Sequence, residues 1–131
     1  MNLYLDSSAL LKRYLVEEGA LQFEAAFDEA SNCAASRITF IETMRGLAAE
    51  PDQSARARKD WDSVNVVELS PLVCERAVTA AKTRSLKTLD AIHLASALVI
   101  ATDDLTFATF DRRLHAAARA EGLTTLPAAL G

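Results

Sequence analysis

Four carboxylates stand out in this chain by the company they keep: Asp6, Glu42, Asp90 and Asp111. Asp90 lies in Leu89-Asp90-Ala91-Ile92-His93-Leu94-Ala95, at the front of a segment apolar almost all round. A helix of that kind is normally buried. A carboxylate drawn into it unpaired is costly or stays protonated. Glu42 flanks the helical stripe Ile38, Ile41, Met44 and Ala48 rather than opposing it. Gly46 follows one turn later on the same side, where glycine costs about 1 kcal/mol relative to alanine, so a close approach to the helix is one explanation. Each acid also has an ordinary reading: an N-cap for Asp6 and Asp111, a first-turn dipole partner for Asp90, a solvated border position for Glu42. Separate ordinary roles explain all four together poorly. The chemistry that four carboxylates suit is octahedral oxygen coordination of Mg²⁺ or Mn²⁺. Two such ions about 4 Å apart can hold an attacking water and stabilise the leaving oxygen of a phosphodiester. No nucleophilic side chain is then required, and none is offered convincingly: Cys33 and Cys74 lack metal-ligand spacing, and neither a Gly-x-Ser-x-Gly elbow nor a phosphate-cradling glycine loop occurs.

The elements that must position these acids alternate along the chain. Asn2 to Leu5 reads as a short apolar strand, followed by the helix starters Asp6, Ser7 and Ser8 and the apolar run Ala9-Leu10-Leu11 with Tyr14-Leu15. Gly19 breaks that run, and Ala20 to Phe27 reads as a second helix. Cys33 to Ser36 is a brief small-residue strand; helices follow over the Ile38 stripe and after Pro51-Asp52. Val64 to Leu69 is β-branched and strand-like; Leu72 to Thr83 and Leu89 to Ile100 are helical. Leu105 to Phe110 is a strand, Asp111 to Ala120 a helix stopped by Gly122, and Thr124 to Leu126 a last short strand. Such alternation predicts a parallel sheet covered on both faces. Functional groups in such sheets gather beyond the carboxyl ends of the strands, near the point where strand order reverses. The rule sorts the acids: Asp6 directly follows the first strand and Asp111 directly follows the fourth, whereas Asp103 and Asp104 precede the fourth and belong at the opposite edge.

Composition bounds what the chain can be. Its 131 residues, half of them hydrophobic, fit one domain over 1–131 with a sizeable core. The two cysteines are expected as reduced, buried thiols in a cytosolic protein. No basic start or long apolar run suggests a secretory leader, and the most apolar stretch, Ala91 to Ala101, is far short of the roughly 20 residues that span a bilayer. A soluble cytoplasmic protein is expected. The net charge of −4 argues against broad coating of nucleic acid. Setting aside four clustered carboxylates leaves a neutral remainder, and bound divalent ions add positive charge to the site itself.

Four segments carry a family resemblance. Tyr4-Leu5-Asp6-Ser7-Ser8-Ala9-Leu10-Leu11-Lys12 resembles the opening motif of PIN domains, and Ser36-Arg37-Ile38-Thr39-Phe40-Ile41-Glu42 resembles their second. Leu89-Asp90-Ala91-Ile92-His93-Leu94-Ala95 is similar to the third and Thr109-Phe110-Asp111-Arg112-Arg113-Leu114 to the fourth, in the family's order and over essentially the whole chain. The resemblance implies a PIN-like α/β/α sandwich around a parallel sheet of four or five strands, order 3-2-1-4-5. It implies an endoribonuclease of the VapC toxin type, dependent on Mg²⁺ or Mn²⁺, with one or two ions. The expected partners are an RNA substrate, a small antitoxin and a second copy of the chain. Asp6, Glu42, Asp90 and Asp111 would hold the metal directly or through water, with Ser8 and Thr109 as hydroxyls orienting water or a carboxylate. The reaction expected is in-line attack of metal-activated water on single-stranded RNA, leaving a 5′-phosphate and a 3′-hydroxyl.

Several neighbours need separate readings. His93, three residues after Asp90, is expected to be packed and hydrogen-bonded, and His115, four after Asp111, to be a surface residue. Arg45, Arg112 and Arg113 are candidates for phosphate contact, with Lys12 and Arg13 extending the rim. Arg56, Arg58 and Lys59 read as a solvated helix face. Two alternatives stand beside the nuclease: a PIN-like protein that captures RNA or a partner without cutting, and a Mg²⁺-dependent phosphatase. Against the phosphatase, Asp6-Ser7-Ser8 lacks a second Asp two residues on.

Overall fold

A computed structural model of the protein describes residues 1–130. Five parallel strands form one sheet in the order β3-β2-β1-β4-β5: β1 (Asn2–Leu5), β2 (Asn32–Ser36), β3 (Asn65–Val67), β4 (Leu105–Ala108) and β5 (Thr124–Leu126). The alternation predicts the parallel sheet, and the strand order is the one the family resemblance implies. The chain lays down β1, β2 and β3 in one direction, then returns to place β4 on the other side of β1. The order therefore reverses at β1, and folds of this kind bind ligands beyond the carboxyl ends of the strands on either side of that point, here β1 and β4.

Central strand β1 is apolar because both its faces are covered. Leu3, Tyr4 and Leu5 are fully buried. Alternation sends Leu3 and Leu5 to one face and Tyr4 to the other. On the Leu3–Leu5 side the core is completed by α1 (Ser7–Leu11), α2 (Ala20–Glu29) and α4 (Pro51–Trp61) through Ala9, Leu10, Phe23 and Ala57. On the Tyr4 side it is completed by α5 (Pro71–Arg84), α6 (Thr88–Ile100) and α7 (Arg112–Ala120) through Val73, Ala77, Leu94, Ala95 and Leu114. Tyr4 stacks on Phe107, its register partner in β4, with ring centroids 5.1 Å apart. Among the described residues no helix is long and apolar enough to cross a membrane.

Helix α3 (Arg37–Gly46) departs from its expected orientation. The stripe Ile38, Ile41, Met44 and Ala48 is not its inner face: Ile41 is 62% exposed, whereas Thr39, Thr43 and the following Leu47 are buried. The reason lies at the strand end. The Leu5 carbonyl closes β1 and needs a donor, which the Thr39 hydroxyl supplies at 3.3 Å. Turning that polar row inward leaves Ile41 outside. The close approach inferred at Gly46 is Leu11 of α1, whose methyl carbons would lie 3.1 Å from an added Cβ.

Other expectations are corrected locally. Cys74 is exposed on α5 and Cys33 is only half-buried, so the thiols are not a buried pair. Strand β4 ends at Ala108, so Asp111 stands three residues beyond it rather than directly after. Arg13 is no part of a phosphate rim. It is held by Glu24 at 2.9 Å and Asp60 at 3.0 Å, over the Phe27 ring. His115 is buried rather than on the surface, because the carboxyl-terminal segment folds over α7 and the ring Nε2 meets the Pro127 carbonyl at 2.7 Å.

Candidate active site

Asp6 is both a cap and a buried charge. Its Oδ1 accepts the Ala9 amide at 2.9 Å, starting α1, and the Ser8 hydroxyl at 2.7 Å. Its Oδ2 accepts the Thr109 hydroxyl at 2.5 Å. The same two hydroxyls reach onward: Ser8 Oγ accepts the Phe110 amide at 2.8 Å, and Thr109 Oγ1 accepts the Asp111 amide at 3.1 Å. Ser8 and Thr109 thus tie the end of β1 to the β4–α7 connection that carries Asp111. Asp111 caps α7 through the Leu114 amide at 2.9 Å and is otherwise exposed.

Asp90 occupies the first turn of α6, half-buried, and among the described residues its side chain has no hydrogen-bond partner. A buried face on α6 follows from Ala91, Leu94, Ala95 and Ala97, which draws Asp90 toward the sheet. Glu42 projects from α3 and its Oε1 meets His93 Nε2 at 2.8 Å. His93 is 2% exposed, packed and hydrogen-bonded at both ring nitrogens.

The electrostatics show that the four acids share one field. Asp90 is pushed above the usual carboxylate range by burial first, then by the charge of Asp111, with Asp6 and Glu42 adding, while His93 opposes. Asp6 is raised as well. Burial dominates over the opposing His93 ring and the hydrogen bonds from Thr109, Ser8 and Ala9. Raised carboxylates are what desolvation and repulsion produce when the opposing groups do not outweigh them. Asp103 and Asp104 lie at the opposite edge as expected: Asp104 accepts the Asn2 amide at 3.0 Å and pairs with the Met1 amino group at 3.5 Å.

The donor set suits a hard divalent ion, but the arrangement is open. Among the described residues no three His, Cys, Asp or Glu side chains converge tightly enough to enclose one metal. That openness is compatible with Mg²⁺, which keeps several waters and needs only one or two direct carboxylates. Asp6 Oδ2 and the free oxygens of Asp90 retain lone pairs for such contacts.

The candidate cations diverge. Lys12 and Arg112 line one open cavity of about 460 Å³ with Phe110 and Gly19. Gly19 is required there, because its positive φ disfavours a side chain and an added Cβ would lie 2.7 Å from Phe110. Lys12 is engaged by Glu17 at 3.1 Å and lies over the Phe110 ring. Arg113 faces another hollow, with Thr83, Arg84 and Ser85. Arg45 is exposed in the last turn of α3. Arg56 and Arg58 rest on the rings of Tyr14 and Phe40.

Sequence reasoning did not find Tyr4 and Ser36 as partners of the site. The available signal was His93, on the same helix face as Asp90.

An all-parallel sheet of order 3-2-1-4-5 with carboxylates grouped beyond β1 and β4 defines the class. The PIN domain family model matches residues 3–120, and the chain belongs to that family. It is similar to Ribonuclease VapC49 of Mycobacterium tuberculosis, 34% identical with 97% of this chain and 96% of that protein covered. Ribonuclease VapC47 of the same species is 33% identical over 94% of each chain. Among solved structures, a toxin–antitoxin complex from Klebsiella pneumoniae matches with a TM-score of 0.68 and 28% identity, covering 85% of this chain and 87% of that one.

Proposed function

We propose that the protein is a metal-dependent endoribonuclease of the VapC toxin type, held in check by a small antitoxin and acting as a homodimer. The observation that carries the reading is the half-buried Asp90 carboxyl in the first turn of α6, without a hydrogen-bond partner among the described residues and in the field of the other three acids. Among the described residues no Lys or Arg pairs with Asp6, Glu42, Asp90 or Asp111, and the one basic group in contact is His93 at Glu42; a cluster of that kind suits an ion from outside. Relatives named ribonucleases over nearly the full chain support the same chemistry.

In this reading Asp6, Glu42, Asp90 and Asp111 hold one or two Mg²⁺ or Mn²⁺ ions, directly or through water. The chemistry such an ion supplies is acidification of water and neutralisation of charge on the phosphodiester. Ser8 and Thr109 restrain both oxygens of Asp6, so its carboxylate need not reorganise when an ion arrives. Arg45 and Arg112 offer exposed guanidinium groups to RNA phosphates. Arg113 and Lys12 are weaker candidates, because Arg113 faces a different hollow and Lys12 must first leave Glu17.

The test is cleavage of a labelled single-stranded RNA by purified protein with and without Mn²⁺, beside the Asp90→Asn variant. Cleavage that needs Mn²⁺ and Asp90, leaving 5′-phosphate ends, is expected. Cyclic 2′,3′-phosphate ends in mass spectra, or equal cleavage by the variant, would refute the reading.

A further inference from the structure

We infer that His93 is a positioning residue for Glu42, fixed in its role by Tyr4 and Ser36. This rests on the metal-site reading above and goes beyond it. The wiring begins at the Ser36 amide, which can only donate, and which meets the Tyr4 hydroxyl oxygen at 3.2 Å. Tyr4 Oη accepts from Ser36, and the relay assigns its own proton to His93 Nδ1, 3.0 Å away. With Nδ1 as acceptor, the ring proton sits on Nε2 and is given to Glu42 Oε1 at 2.8 Å. A carboxylate only accepts, so this assignment satisfies both ends of the chain.

The relay is built to hold still. Tyr4, Ser36 and His93 are each at most 2% exposed, and the Tyr4 ring is stacked on Phe107. It also connects the elements that matter. Tyr4 is two residues before Asp6, Ser36 caps the helix that carries Glu42, and His93 is one turn after Asp90. Glutamate has three free torsions and loses substantial rotamer entropy when ordered. Pinning Oε1 against His93 spares an arriving ion that cost and leaves Oε2 without a partner among the described residues. Hydrogen-bonded partners of a metal-binding group typically contribute 10–100-fold in affinity.

The test is calorimetric titration of Mn²⁺ into the wild type, His93→Ala, His93→Gln and Tyr4→Phe, with ¹⁵N NMR of the imidazole rings. His93→Ala is expected to bind Mn²⁺ about 10–100-fold more weakly. His93→Gln, whose side-chain amide can still donate to Glu42, is expected to recover most of the loss. The wild-type spectrum should show His93 protonated on Nε2, with the resonance assigned by its disappearance in His93→Gln. Tyr4→Phe should bind several-fold more weakly and lose the single tautomer. A folded His93→Ala with wild-type affinity would overturn the inference while leaving the metal reading intact. Should His93→Ala not fold, a Tyr4→Phe protein with unchanged affinity and tautomer overturns it equally. Wild type that takes up no Mn²⁺ would instead sink the metal reading, and the relay's purpose with it.

Discussion

Two groups of carboxylates in this molecule are built from the same residue types and behave oppositely. Asp60, on α4, meets Arg13 at 3.0 Å and the Tyr14 hydroxyl at 2.7 Å. Burial alone would raise it, but the Tyr14 and Arg13 hydrogen bonds and the nearby guanidinium charges hold it below the usual carboxylate range. Asp90 and Asp6, across the sheet edge, are raised: burial outweighs what opposes it in Asp6, and in Asp90 like charge adds to burial. One group is internally neutralised and serves the fold; the other is left in deficit of positive charge. That deficit lies where strand order reverses, and the proposed metal site rests on it rather than on any single aspartate.

The largest expected effect that would break this contrast is loss of chemistry at the deficient group. Asp90→Asn and Asp6→Asn should each lower Mn²⁺-dependent RNA cleavage at least about 100-fold, the upper end of what even outer partners of a metal ligand cost. Single-turnover cleavage assays measure it. Next comes linkage to the ion. Mn²⁺ at 100 times its dissociation constant should stabilise the wild type by about 2.7 kcal/mol, and chemical denaturation of Asp90→Asn should show a much smaller gain.

Arg13→Met tests the neutralised group. It should destabilise the fold by about 1–3 kcal/mol, because it leaves Glu24 without its donor and Asp60 with Tyr14 alone, while RNA cleavage per folded molecule stays unchanged. Denaturant melts and assays on the same preparation separate the two.

The pH dependence should differ in sign. Asp60 is depressed in the folded state, so its stabilisation is present above the ordinary carboxylate range and lost as pH falls through the folded value. Asp6 and Asp90 are raised, so without metal they destabilise the fold once pH exceeds that raised range, and they favour folding as pH falls back into it. Metal-free Asp90→Asn should therefore be more stable than wild type at neutral pH and converge with it in acid, by denaturation at several pH values. The smallest effect belongs to the rim: Arg112→Ala should weaken RNA binding about equally across sequences and reduce the salt slope by about one.

Much of the fold was legible because it is written in local patterns. A continuous apolar run at Leu3-Tyr4-Leu5 means a strand covered on both faces, and Asp6 and Asp111 carry the sequence signature of helix starts. The same local logic misplaced α3, since its Ile38–Ile41–Met44 stripe looks like an inner face while the Leu5 carbonyl recruits Thr39 instead. His115 was misread because its partner, the Pro127 carbonyl, lies in a segment whose path no periodicity encodes.

By itself the sequence determined which residue types are available, the order of strands and helices, and the four motifs that resemble a family. Those depend on neighbours along the chain, where sterics and periodic burial act over a few residues. Only the tertiary structure decided that the Ser8 and Thr109 hydroxyls both close on Asp6, that Asp90 feels Asp111, Asp6 and Glu42, and that Tyr4 reaches His93 across 89 positions of sequence. Charge repulsion and hydrogen bonding depend on distance in space, and that distance is set by how the helices pack on the sheet.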